Sequence, residues 1–191
     1  MFKLACLAAA TQARMSWGSC PDDVYMTDLD MASYSGTWYS IASDPIFPYT
    51  MMTQCVYKKY TEDSNGDYDL HFGGYYPMMF QYGGVGGKVY CDGPDCEATM
   101  TGSDKRDEFR ILATDYSTFD IGYVCMDMID DVMMADFVII GSRDNKEFSA
   151  ETKATIEEII NTKLPDYKFS WNKMKNYKHT DCEYPDKQFE W

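Results

Sequence analysis

Along most of the chain, apolar and polar residues alternate in short runs rich in Val, Ile, Tyr, Phe and Thr, the period-two pattern of half-buried strands. The runs are TWYSIAS (37–43), TQCVYKKYTE (53–62), YDLHFGGYY (68–76), MFQYGG to KVYCD (79–92), CEATMTG (96–102), EFRILATDY (108–116), FDIGYVCMDM (119–128) and ADFVIIGSR (135–143). Turn clusters DSNGD (63–67), DGPD (92–95) and GSDKRD (102–107) lie between them. Their Gly, Asn and Asp residues tolerate the backbone angles that tight turns demand. Eight strands at this spacing predict a meander.

The periodicity changes once, near the C-terminus. Ser149 is placed to cap a helix and Glu151 suits its first turn, while Ile156, Ile159, Ile160 and Leu164 form a helical stripe. Pro165 limits that helix, and a last strand-like run, YKFSWNKM (167–174), follows. The pattern therefore predicts an all-β fold: an eight-stranded antiparallel up-and-down barrel with one C-terminal α-helix packed outside. A closed barrel of that size has room for one small ligand.

The first residues stand apart from this core. A short basic start, the small apolar stretch LACLAAA and the small residues of TQA read as a signal peptide over residues 1–13, cleaved near Ala13. Residues 14–191 are then expected to form a single domain of an exported protein. No stretch approaches the roughly 20 apolar residues of a membrane helix, so stable membrane insertion is not expected.

Of seven cysteines, Cys6 falls in the leader, which leaves Cys20, Cys55, Cys91, Cys96, Cys125 and Cys182. An even set in an exported chain implies disulfides, with the connectivity open. The turn DGPD between Cys91 and Cys96 suits a local bridge. There is no CxxC pair, and His71 and His179 are far apart, so no metal site is expected. The formal charge of −14 becomes about −15 once Lys3 is lost, and no basic stripe interrupts it. Such a field disfavours nucleic acid and anionic membranes, suits solubility and admits a cationic ligand.

Three short stretches, in order, resemble the signatures of the lipocalin family. The first is YSGTWYSIA (34–42), with Gly36 and Trp38, preceded by the helical turn DLDMASY. The second is ATDYSTF (113–119), with Thr114, Asp115 and Tyr116, and the third is IIGSRD (139–144), with Arg143. The resemblance spans residues 20 to 184. It implies that Gly36 turns the backbone into the first strand and that Trp38 plugs the closed end, with Ser40 and Ala42 inward beside it. It also implies that Arg143 lies across the indole, and that Thr114 and Asp115 hydrogen-bond their own turn and that of the entering chain. These residues identify the container and carry no catalytic constellation.

The cysteines are similar to those of the apolipoprotein D-like group, which includes invertebrate bilin-binding protein-like and crustacyanin-like lipocalins. That layout implies bridges Cys20–Cys125 and Cys55–Cys182, with Cys91–Cys96 as a local clip. The loop SDPIFPYTMM, with apolar Ile46 and Phe47, also resembles the barrel mouth of that group.

The function implied is a secreted carrier that holds a small hydrophobic ligand non-covalently: a carotenoid, a bilin, a lipid or a sterol. No cofactor is required and no enzymatic activity is expected. The stretch FGGYYPMMFQY (72–82) is unusually rich in aromatic residues and methionine, which offer stacking surfaces and adaptable sulfur contacts. The candidate ligand-binding residues are Tyr57, Phe72, Tyr75, Tyr76, Met78, Phe80, Tyr82 and Met126. Strand alternation sends half of such side chains outward, and the phase is not legible beyond Trp38. One alternative is an enzyme of the prostaglandin-synthase type using Cys55, with His71 as a base; it needs an unpaired thiol. Another is a binder of a cationic amine such as histamine, which needs carboxylates inside the cup, whereas Asp67, Asp69 and Asp127 flank turns. Exposed Tyr and Met side chains leave room for a homo-oligomer.

Overall fold

The computed structural model describes residues 14–21, 23–45, 53–129, 132–185 and 189–190. The expected leader and the apolar pair Ile46–Phe47 lie outside the described residues. Strand β1 (Arg14–Trp17) leads to a one-turn helix α1 (Met31–Tyr34), capped by the Asp30 carboxylate, which accepts from the Ala32 and Ser33 N–H groups. Strands β2 (Gly36–Ser43), β3 (Gln54–Glu62), β4 (Tyr68–Tyr76), β5 (Gln81–Asp92) and β6 (Asp95–Met100) then pair in sequence order, all antiparallel.

The expected strand over 108–116 is corrected by the structure. Only β7 (Asp107–Glu108) pairs with β6, and only β8 (Ala113–Thr114) pairs with the next strand, β9 (Phe119–Ile129). The Phe109 N–H donates to the Cys96 carbonyl at 2.8 Å, whereas the Leu112 N–H donates to the Ile121 carbonyl at 2.9 Å. One segment thus hands over from one edge of the curled sheet to the other, and no single ladder can run its length. Strand β10 (Met133–Ser142) returns the sheet to β2 and also receives β1.

Directly paired residues share a face of the sheet, so the register decides which side chains enter the barrel. Between Ile140 and Gly141 the β10–β2 register shifts, placing Ser40 opposite Gly141 but Ala42 opposite Ile140. Ser40 therefore follows Trp38 inward, while Ala42 joins Ile121, Val138 and Ile140 in the core beneath the helix. The expectation that Ala42 points into the cup is corrected by this bulge, which inserts one residue and reverses the alternation.

Helix α2 (Ala150–Lys163) packs on that outer core through Ile156 and Ile160, both fully buried, and Ser149 caps it by accepting from the Thr152 N–H. The strand expected over 167–174 is instead two 3₁₀ turns, Pro165–Tyr167 and Trp171–Lys173. Lys168 between them is left-handed at φ 53°. Phe169 and Trp171 meet edge to face at 5.3 Å, and the Trp171 indole N–H donates to the Lys153 carbonyl at 3.1 Å. Those rings tie the segment to the helix, so pairing is delayed to β11 (Lys175–Asn176), on the edge of β2. A final strand, β12 (Phe189–Glu190), lies parallel beside β5.

Among the described residues three disulfides staple the fold: Cys20–Cys125 holds the N-terminal segment to β9, Cys55–Cys182 holds the C-terminal segment to β3, and Cys91–Cys96 closes the β5–β6 hairpin.

Candidate functional site

The closed end of the barrel is built around Trp38, which is wholly buried and donates its indole N–H to the Tyr34 carbonyl at 2.8 Å. Gly36 opens the strand at φ 94°, where a side chain would be strained and would also press on the Arg143 guanidinium. That guanidinium lies 3.7 Å over the indole and donates to the carbonyls of Ser33, Tyr34, Thr37 and Tyr116. One planar cation thereby locks α1, β2 and the β8–β9 turn together.

Within that turn, the Thr114 hydroxyl donates to the Phe119 carbonyl, and the Asp115 carboxylate accepts from the N–H groups of Ser117, Thr118 and Phe119. Burial alone would raise the Asp115 pKa, but these donors hold it below the usual carboxylate value. The contact with the entering chain belongs to Tyr116 instead: its hydroxyl accepts from the Asp30 N–H at 3.1 Å. Thr114 and Asp115 are occupied within their own loop.

Above Trp38 stands a polar cluster that the hydrophobic pattern did not reveal. Lys58 is the register partner of Trp38, and Asp120 shares its face with Gly141 and Ser40. The Lys58 ammonium is ion-paired to Asp120 and donates to the Tyr34 hydroxyl at 3.3 Å, while that hydroxyl donates to Asp120 at 2.9 Å. The Lys58 and Asp120 side chains are only 8% and 0% exposed. A Cβ at Gly141 would collide with Asp120 Oδ1, so glycine makes room for the carboxylate. Burial, with Asp120 alongside, lifts the Tyr34 and Tyr60 phenols well above their ordinary pKa, so both remain neutral.

Alternation from these anchors gives the walls. On β9 the inward residues are Asp120, Gly122, Val124 and Met126, and on β10 their partners are Gly141, Ile139, Phe137 and Ala135. Lys58 pairs with Phe72, and Phe72 with Val85, which extends the same face across β4 and β5. Val124 and Met126 face the interior yet remain 38% and 49% exposed. The barrel is therefore floored by tightly packed aromatic and charged groups but uncovered on its apolar upper wall.

Of the expected ligand-binding residues, the register puts Phe72, Tyr76 and Met126 on the inner face. Tyr57, Tyr75 and Tyr82 take the opposite face, in register with Gly73 or with each other, and Tyr57 and Tyr82 lie under the C-terminal segment. The Tyr57 hydroxyl donates to the Pro185 carbonyl at 2.9 Å, and the Tyr82 hydroxyl accepts from the Glu183 N–H at 2.8 Å. The Cys55–Cys182 bridge pins that segment there, on the outside of the barrel. Met78 and Phe80 sit in the turn between β4 and β5, 74% and 85% exposed. Lys58, Asp120, Val124 and Phe137 are interior residues that no sequence motif marks. Their signal was phase alone: Asp120, Val124 and Phe137 lie an odd number of positions from Ile121 or Val138, which face the helix, and Lys58 is the register partner of Trp38.

The remaining candidates are engaged elsewhere. Cys55 is bonded to Cys182, and His71 lies on the outer face, 6.0 Å from the Tyr57 ring. Asp127 accepts from the Cys20 N–H, and Asp69 is exposed. Among the described residues no group of three or more His, Cys, Asp or Glu is placed to hold a metal ion. A groove of about 840 Å³ between the N-terminal segment and the β5–β6 hairpin, lined by Tyr25, Tyr90, Arg106 and Arg110 among others, shares none of the interior residues named above.

The outer clasp carries a pH dependence. His179 bonds the Ser40 carbonyl at 2.9 Å and the Tyr184 hydroxyl at 2.6 Å, with the Tyr39 ring beside it, and burial pushes its pKa down. A depressed histidine favours the neutral form, so its contribution is whole above the unfolded value and is lost as pH falls. Urea midpoints should drop between about pH 7 and pH 5, and His179→Gln should flatten that drop. Comparison with the variant isolates this effect from Asp136, whose burial-raised pKa acts in the opposite sense.

No protein-family model matches the chain. It is 28% identical over 165 residues to bilin-binding protein of Pieris brassicae, covering 82% of this chain and 84% of that one. Its fold matches insecticyanin of the tobacco hornworm Manduca sexta with a TM-score of 0.72, at 18% identity over 88% of this chain and 90% of that one. H1 crustacyanin of the lobster Homarus americanus matches with a TM-score of 0.65, at 20% identity over 89% and 93%.

Proposed function

We propose that the chain is a lipocalin of the group that holds bilin-binding protein and the crustacyanins, and that it is a secreted carrier of a small hydrophobic molecule bound inside the barrel. The observation that carries this is the uncovered apolar wall: Val124 and Met126 point inward and stay exposed above a sealed floor. An apolar ligand entering there would gain about 25 cal/mol for each Å² of apolar surface removed from water. A flat conjugated molecule of the bilin or carotenoid kind suits Phe72, Tyr76 and Met126, which offer ring faces and a deformable thioether.

Attachment is non-covalent in this proposal, because the six cysteines of the described chain are paired in three bridges. The same pairing speaks against a thiol enzyme built on Cys55. The three disulfides support an extracellular location, and no helix among the described residues is long and apolar enough to cross a membrane. The exposed Met78 and Phe80 would suit self-association at the barrel rim. An amine binder draws little support: the interior carboxylate, Asp120, already has its cation in Lys58.

Titration with biliverdin and with all-trans-retinol should quench the protein's tryptophan fluorescence and saturate near one ligand per chain. Absence of saturation with both, and with a fluorescent fatty acid, would count decisively against a carrier. Val124→Arg puts a charge on the uncovered wall and should weaken binding by at least about tenfold while moving the thermal midpoint by only about 2 °C.

A further inference from the structure

Two buried acceptors flank the floor ion pair without a partner among the described residues: Asp120 Oδ1 and Ser40 Oγ. Both side chains belong to wholly buried residues, and both project from the inner face, on either side of Gly141. The pair is also unfinished on its cationic side. An ammonium carries three N–H donors, and the contacts of Lys58 are with Asp120 and the Tyr34 hydroxyl, which leaves one donor. Of this cluster Lys58 is the member that still reaches accessible space, and Gly122 beside it has no side chain to cover the ammonium.

We propose that this cluster is a polar docking point for the deep end of the cargo, and that the barrel selects apolar molecules whose leading end both accepts and donates a hydrogen bond, a hydroxyl being the simplest case. The inference rests on the carrier function above and adds to it the chemistry of the ligand's buried end. The hydroxyl oxygen accepts the remaining N–H of Lys58, and the hydroxyl proton is donated to Asp120 Oδ1, with Ser40 Oγ closing the cluster. A ligand end that only accepts leaves the carboxylate oxygen unpaired, and a hydrocarbon end leaves both sides unpaired. In a dry cavity, unpaired buried polar groups are what make such a site discriminate. A purely structural ion pair would stabilise the floor but would be indifferent to the end group of a ligand.

The test compares all-trans-retinol with retinyl methyl ether, which accepts but cannot donate, by fluorescence titration of the full chain. Wild-type protein should prefer the alcohol by at least about tenfold. The variant K58M/D120L should bind both within about twofold of each other. Should that variant fail to fold, K58L/D120V, which likewise has no polar side-chain atom at either position, should lose the preference in the same way. Because each protein is scored by the ratio of two ligands, loss of stability common to both cancels. Equal binding of the two probes by wild type, or an undiminished preference in the folded variant, overturns the docking point while leaving the carrier function standing. Failure of wild type to bind either probe, biliverdin or the fluorescent fatty acid overturns both.

Discussion

Lys58→Met alone is expected to lower folding stability by about 3–5 kcal/mol, because it strands a buried carboxylate without its cation. Asp120 is wholly buried and would keep only the Tyr34 hydroxyl as a donor. The pair itself has far less net value than that loss suggests. Bringing both charges out of water offsets much of their attraction, so K58M/D120L should recover most of the stability. Urea unfolding at neutral pH measures all three proteins. A single variant no less stable than the double one would mean that Asp120 is not held as a charged partner. The pair is therefore better explained by selectivity at the bottom of the cup than by stability.

Removing the long-range bridge Cys55–Cys182 by a double serine substitution should cost about 3–5 kcal/mol, close to the loop-entropy value for a closure of this length. The bridge spans 127 residues, whereas Cys91–Cys96 spans 5 and should be worth roughly 2 kcal/mol. The long bridge also holds the C-terminal segment over Tyr57 and Tyr82. Its loss should expose that face, raising hydrogen exchange at Tyr57 and its neighbours before global unfolding. Equal costs for the two bridges would argue that local geometry outweighs chain entropy here.

How far the site was legible follows from what each residue's direction depends on. The floor was readable through the resemblance: Gly36, Trp38 and Arg143 stand in matching stretches, although Arg143 reaches the indole from far along the sequence, which no local pattern records. The helix was readable from local pattern: Ser149 caps it and the isoleucine stripe repeats within one element. The strand expected over 108–116 and the strand expected over 167–174 failed where a segment serves two distant partners, which no local pattern records.

The walls depended on phase, which strand pairing and its irregularities decide. The β3–β4 register shift between Gln54 and Tyr57, with Cys55 at φ 53°, and the β10–β2 shift at Ile140 and Gly141 each reset the alternation. Tyr57, Tyr75 and Tyr82 lie outside by plain alternation from Lys58 and Phe72, which share the face of Trp38, and by the same pairing an unremarked lysine and aspartate met inside. Composition and periodicity alone determined that this chain makes a ligand-sized barrel with an outer helix and cysteines to staple it, since those outcomes follow from local propensity and hydrophobic burial. Which side chains line the cup was settled only in the tertiary structure, because a single inserted residue in a strand turns every following side chain to the other face.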